Sequence, residues 1–225
     1  MRRRIWQQLY RLRFQLFQKR RFNALVMERV GGKPLIILPS VFNPTLFLVS
    51  TWMVEQLDER LVPHGCRALE LGTGSGVGAL FLAQRAGHVV ATDINPAAVR
   101  CTKINSLLNN AQVDVREGDL FEPVSGERFD VVLFNPPYLS GKPTSALDHA
   151  FRAPRIAERF AARLAHHLTR DGFGLLLLSS IGEEKQFLNA LSAENLTYEI
   201  ARQRDLRSEV VTLYRVWSAE SRAAS

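Results

Sequence analysis

The stretch Glu70-Leu71-Gly72-Thr73-Gly74-Ser75-Gly76-Val77-Gly78 constrains this chain more than any other. It closes a short apolar run and opens a helical pattern, and its glycines let the backbone turn sharply and pass close to a ligand where a Cβ would collide. Around it, runs rich in leucine and β-branched residues alternate with helical stretches. The pattern reads as strand 66–71, helix 76–86, strand 88–93, helix 96–109, strand 112–116, strand 128–134, helix 151–169, strand 172–180, helix 183–193 and strands 196–204 and 209–217. Such alternation predicts an α/β fold with a doubly wound, mostly parallel sheet of seven strands. The last two runs are joined only by Asp205 to Ser208, too short for a parallel crossover, so the C-terminal strand is expected to run antiparallel.

Upstream, Gly31-Gly32 and Pro34 suggest a junction, Leu35 to Leu38 a short strand, Pro39 to Pro44 a loop, and residues 45–62 a helix ending near Pro63-His64-Gly65. This divides the chain into a basic helical extension, residues 1–30, and a main domain, residues 31–225.

The net charge of +7 is unevenly spread. Residues 1–22 hold eight Lys or Arg and no acid, which leaves the other 203 residues at −1. Within that tail Ile5, Leu9, Leu12 and Leu16 recur at helical spacing, with Arg4, Gln8, Arg11 and Gln15 opposite, which predicts one amphipathic helix. Its apolar side could dock on the protein's own body, or the helix could touch RNA, the ribosome or an anionic membrane surface. An organellar targeting segment is a further reading, opposed by the absence of serine before Ser40. Cys66 and Cys101 form no Cys-x-x-Cys pair and have no metal-ligand neighbours, so neither a disulfide framework nor a metal site is expected, and a cytoplasmic location is. No apolar run reaches the ~18 residues that span a bilayer.

The glycine turn by itself is ambiguous, because Gly74-x-Gly76-x-x-Ala79 also fits a loose NAD fingerprint. Asp93 adds information: it ends the next strand 21 residues after Gly72, where a carboxylate can accept from both ribose hydroxyls. Gly118-Asp119-Leu120 follows the third strand, where Asp119 could accept from an adenine amino group while Leu120 or Phe121 covers the ring. Asp93 could instead cap the helix starting at Asn95-Pro96, and Asp119 could be a turn residue. The fourth strand discriminates. A dehydrogenase needs a proton donor and acceptor there, and the chain offers Asn135-Pro136-Pro137-Tyr138. An amide, a proline-stiffened backbone and a ring face suit a planar amide or amine, which favours a sulfonium methyl donor over NAD.

In these segments, Glu70 to Gly76, Asp93-Ile94-Asn95-Pro96, Gly118-Asp119 and Asn135 to Tyr138, the chain resembles class I S-adenosylmethionine-dependent methyltransferases, within them the HemK-like protein-glutamine and N6-adenine methyltransferases. The resemblance covers residues 66–140 and implies the Rossmann-like methyltransferase fold. It implies S-adenosylmethionine as cofactor, touched by Glu70, Gly72, Thr73, Gly74, Gly76, Asp93, Ile94, Asp119, Leu120 and Asn135. It also implies that Asn135 and the Pro136 carbonyl hold the target nitrogen, with Tyr138 against the acceptor. Phe42-Asn43-Pro44 stands where related enzymes carry a loop over cofactor and substrate, although Thr45-Leu46-Phe47 replaces the acidic residue often found there. The helical domain of about 70 residues that release-factor methyltransferases carry ahead of the catalytic domain has no counterpart in the sequence.

The methyl acceptor is therefore expected to be a macromolecule: a protein glutamine first, a base of RNA or DNA second. A cofactor-binding partner subunit without activity of its own is the third reading, opposed by the intact Asn135. His166-His167 read as structural. Arg152, Arg155 and Arg159 fall at helical spacing just beyond the pocket; they read first as a solvated face and second as contacts for an acidic or nucleic-acid substrate.

Overall fold

A computed structural model of the chain describes residues 24–45, 48–137, 155–206 and 209–218. The tail helix, Tyr138 and Arg152 lie outside these residues.

The described chain forms a two-stranded hairpin and a seven-stranded sheet. The hairpin is β1 (Val26–Val30) and β2 (Lys33–Ile37). The sheet contains β3 (Arg67–Leu71), β4 (His88–Asp93), β5 (Asp114–Glu117), β6 (Phe129–Phe134), β7 (Leu168–Ser179), β8 (Leu196–Asp205) and β9 (Val210–Ser218). Its order is β5-β4-β3-β6-β7-β9-β8. β9 runs antiparallel to both of its neighbours, and the other pairings are parallel. The expected antiparallel C-terminal strand is thus present, inserted between β7 and β8.

Helices α1 (Leu48–Glu55), α2 (Val77–Leu82) and α3 (Pro96–Leu108) cover one face of the sheet, and α4 (Ile156–Leu164) and α5 (Glu184–Ala193) the other. Strand alternation supplies both cores. In β6, Val131 and Leu133 join Met53 and Leu80 in one layer, while Val132 and Phe134 join Phe160 and Leu191 in the other. Because both faces are covered, β3 and β6 read as nearly continuous apolar runs.

Several boundaries differ from the sequence reading, each for a local reason. Gly31 and Gly32, read as a junction, form the hairpin turn, with φ of +52° and +81° that only glycine adopts readily. β1 was not expected at all. The helix expected over 45–62 is regular only to Glu55, because the Asp58 carboxylate accepts from the amides of Arg60 and Leu61 and winds the chain into a local turn. α2 tightens after Leu82, where Gln84 and Arg85 donate to the carbonyls three residues back. β7 starts at Leu168 instead of residue 172, since Leu168 already pairs with Phe129 before a bulge restores the register at Phe173.

Candidate active site

β3 sits where the parallel order reverses, with β4 on one side and β6 on the other, and the crevice at the carboxyl ends of such strands is where α/β sheets take ligands. A cavity of about 390 Å³ lies there. Gly72 and Gly74 reach it from the turn after β3, Asp93 and Ile94 from the end of β4. Asp119 and Leu120 follow β5, and Asn135 and Pro136 follow β6. Phe42, Pro44 and Ser50 close the side formed by the loop before α1 and by α1 itself.

The turn is held from behind. Glu70, 5% exposed, accepts from the Thr73 hydroxyl (2.5 Å) and the Ala79 amide (2.8 Å). Gly78 makes that possible, because a Cβ there would lie 2.0 Å from Glu70 Oε1. Burial pushes the Glu70 carboxyl up to about 7, against the pull of its Thr73 and Ala79 bonds. The Thr102 hydroxyl of α3 donates to the Gly74 carbonyl (3.2 Å), and Asn105 Nδ2 donates to the Ser75 carbonyl (2.9 Å). Gly76 is absent from the cavity wall; it packs on α3, where a Cβ would come within 2.8 Å of Thr102. Gly72 and Gly74 have φ of +62° and +54°, and a Cβ on either would make only ordinary contact with Phe134 or Phe42. These two glycines supply backbone direction, and Gly76 and Gly78 supply close packing.

Asp93 accepts from the Gly74 amide through one carboxylate oxygen and from the Asn95 amide through the other, both at 2.8 Å. Burial raises its pKa, opposed by these two amides. It does not cap α3; Asn95 does, accepting from Ala97 at 2.9 Å. Asp119 forms an ion pair with Arg159, and both line the cavity. Arg159, read from the sequence as part of a solvated face, is instead a wall residue of the site. Leu120 has φ of +48°, and its carbonyl accepts from the Thr92 hydroxyl at 3.0 Å, which fixes the chain just past Asp119.

Asn135 Nδ2 donates to Ser50 Oγ at 3.2 Å across 85 residues of sequence. Asn43 lies behind the loop before α1: its Oδ1 accepts from the Thr45 amide and hydroxyl, and its Nδ2 donates to Glu28 on β1. His167 is buried against Phe121 with ring centroids 4.5 Å apart, and Nδ1 faces the Arg163 carbonyl at 2.9 Å. Ser50, Met53, Ala98 and Ile156 are among the wall residues that sequence reasoning missed, and nothing in spacing flags them. Arg159 was legible as a residue just beyond the pocket, and its place on the wall favours that reading over the solvated face.

The donor set fits a sulfonium nucleoside: a backbone cradle at Gly72 and Gly74, carboxylates at Asp93 and Asp119, and apolar surface from Ile94, Leu120 and Phe134. The model of the methyltransferase small domain family matches residues 35–198. The chain belongs to that family. It is an S-adenosylmethionine-dependent methyltransferase. A Methanocaldococcus jannaschii protein provisionally named a protein N5-glutamine methyltransferase is 37% identical over 201 residues, covering 84% of this chain and 97% of the relative. A release factor glutamine methyltransferase of Geobacter sulfurreducens is 34% identical over 130 residues, covering 56% of this chain and 45% of the relative. The methyltransferase thus spans about half the length of that enzyme. Among solved structures, the Thermus thermophilus 16S rRNA N2 G1207 methyltransferase, bound to AdoMet and guanosine, aligns with a TM-score of 0.65 at 21% identity over 87% of this chain and 50% of its own. The E. cuniculi Mtq2-Trm112 complex, responsible for methylating the eRF1 translation termination factor, aligns at 0.61 and 24% over 80% of this chain and 99% of its own. These two likenesses show the Rossmann-like methyltransferase fold.

Among the described residues no helix is long and apolar enough to cross a membrane.

Proposed function

We propose that this methyltransferase methylates the side-chain amide nitrogen of a glutamine in a protein. The observation that carries the reading is Asn135-Pro136 at the end of β6, facing the same cavity as the Gly72–Gly74 turn. S-Adenosylmethionine supplies an electrophilic methyl group on its sulfonium sulfur. Gly72, Thr73 and Gly74 hold the cofactor by their backbone, Asp93 accepts from its ribose, and Asp119, Leu120 and Ile94 enclose its base. Glu70 lines the cavity and braces the turn, and Gly76 packs the turn on α3. Asn135 Oδ1 and the Pro136 carbonyl accept the two N–H bonds of the acceptor amide and aim its lone pair at the methyl carbon; the resemblance adds the Tyr138 ring as a face for the acceptor. When bound, the cofactor would give up its methyl group and keep the S–C bonding pair on its sulfur, and the methylated nitrogen would release one proton to water. Positioning of this kind lowers a barrier by several kcal/mol without a nucleophile from the protein.

The relatives' names support glutamine as the acceptor, in particular the one covered over 97% of its length. A base of RNA is the second reading, favoured by the eight cations of residues 1–22. On this proposal the basic extension contacts the acceptor or its ribosomal surroundings; the boundary read after residue 30 moves toward the N-terminus, because Val26–Val30 form β1 and pair with β2 of the body that carries catalysis, and the work is done in the cytoplasm. Labelled S-adenosylmethionine with extract from cells lacking the enzyme tests the acceptor. Label lost with protease and retained with ribonuclease is expected; label lost with ribonuclease overturns the glutamine reading.

A further inference from the structure

We infer that Arg159 is a positioning residue for base recognition, holding the Asp119 carboxylate so that its second oxygen meets the amino group of the cofactor's adenine. The inference rests on the base-enclosing role given to Asp119 above.

The polarity of this pair leaves no choice, because a guanidinium only donates and a carboxylate only accepts. Arg159 donates from Nη2 to Asp119 Oδ2, and among the described residues no hydrogen bond reaches Oδ1. A carboxylate with one oxygen engaged keeps the other for a second donor, and an exocyclic amine is such a donor. Both members of the pair line the cavity, beside Leu120.

The backbone around Asp119 is fixed without help from its side chain. The Gly118 amide donates to the Asp93 carbonyl, the Glu122 amide to the Asp119 carbonyl and the Thr92 hydroxyl to the Leu120 carbonyl, each at 3.0 Å. Rotation of the carboxylate is what remains, and among the described residues only Arg159 bonds to it. Arg159 is anchored in turn. Phe160, its neighbour on α4, is buried and stacks on Phe121, two residues past Asp119, with ring centroids 5.9 Å apart. The segment after β5 therefore meets α4 at two adjacent points, one apolar and one ionic. The side chains of Arg159 and Asp119 are 38% and 28% exposed, and an ion pair in that setting adds little stability. What it adds is direction, and the aromatic contact holds the fold when it is removed.

The test uses calorimetry on full-length protein with two ligands, S-adenosylhomocysteine and S-inosylhomocysteine, in which a carbonyl replaces the base amino group. The native chain, Arg159→Met, Asp119→Ala and the double variant are compared. Methionine keeps an apolar stem and offers no donor. The ratio of the two Kd values reports on the amino group, and a general loosening of the site cancels from it. The native chain is expected to prefer the adenosyl ligand by about 10-fold or more, and Asp119→Ala by less than about 2-fold, as for a lost hydrogen bond to a charged group. Arg159→Met should forfeit at least about 3-fold of the native preference and nothing further in the Asp119→Ala background, because it acts through that carboxylate. An Arg159→Met protein that keeps the native ratio, even with both ligands weakened together, would overturn the inference. So would a further fall in the Asp119→Ala background, the mark of a direct contact between Arg159 and the base. Native preference retained by Asp119→Ala would defeat the role given to Asp119, and the inference with it.

Discussion

Glu70 is a carboxylate that the fold holds where ionisation is unfavourable. Its ordinary pKa of 4.5 is pushed up to about 7 by burial, so between those values the folded chain binds more protons than the unfolded one. Stability from this group is fully present below pH 4.5 and is lost as pH rises through 7. Gln at this position keeps an oxygen for Thr73 and Ala79 and carries no charge. Between pH 5 and pH 7.5 the unfolding free energy of Glu70→Gln, from urea titrations, is expected to fall less than that of the native chain, by up to roughly 3 kcal/mol. A parallel pair of curves would show that the charge costs nothing. Asp119 is a partly buried carboxylate paired with Arg159 at the cavity wall. If it accepts from the cofactor's amino group, Asp119→Ala should weaken S-adenosylmethionine binding on the order of 10-fold by calorimetry, as for a lost hydrogen bond to a charged group.

Beyond the backbone ladders of the sheet, single side chains tie separate elements of this protein together. Asn105 of α3 accepts from the Ile36 amide (2.7 Å) and donates to the carbonyls of Ile36 and Ser75, so one amide pairs the free edge of β2 and also braces the glycine turn. Asn105→Ala should destabilise the protein by about 2–3 kcal/mol and raise amide exchange at residues 33–37 first. Gly78→Ala drives a Cβ into Glu70 Oε1 and to 3.0 Å from Leu133, and should cost about 1–3 kcal/mol in urea titrations, more than a substitution on an open helix face. The same contrast explains what the sequence made legible. Strands β3, β4 and β6 and helix α3 follow from apolar runs and turn residues, and the described residues place Asp93, Asp119 and Asn135 at strand ends where the resemblance implied them. Hydrophobic period is a local property and travels well from sequence to fold. Ser50 escaped because its meaning lies in what faces it, a residue 85 positions away. β1 escaped because a five-residue edge strand with alternating exposure, Met27 out and Val30 in, carries too little pattern to stand out.

At the scale of the molecule, charge and topology are both unevenly distributed. Deleting residues 1–22 changes the net charge from +7 to −1, so the truncated protein should lose salt-dependent retention on heparin. An equal elution position for the two forms would place the cation-rich surface elsewhere. The order β7-β9-β8 has a separate consequence. Every strand bearing a residue of the site leaves the ribosome before β9, yet β9 is an interior strand, pairing with β7 on one side and β8 on the other. The nascent chain therefore carries an unfinished β7 edge until residues 210–218 clear the exit tunnel, and the cradle for its cofactor can be complete in outline while the sheet beneath it still has a gap.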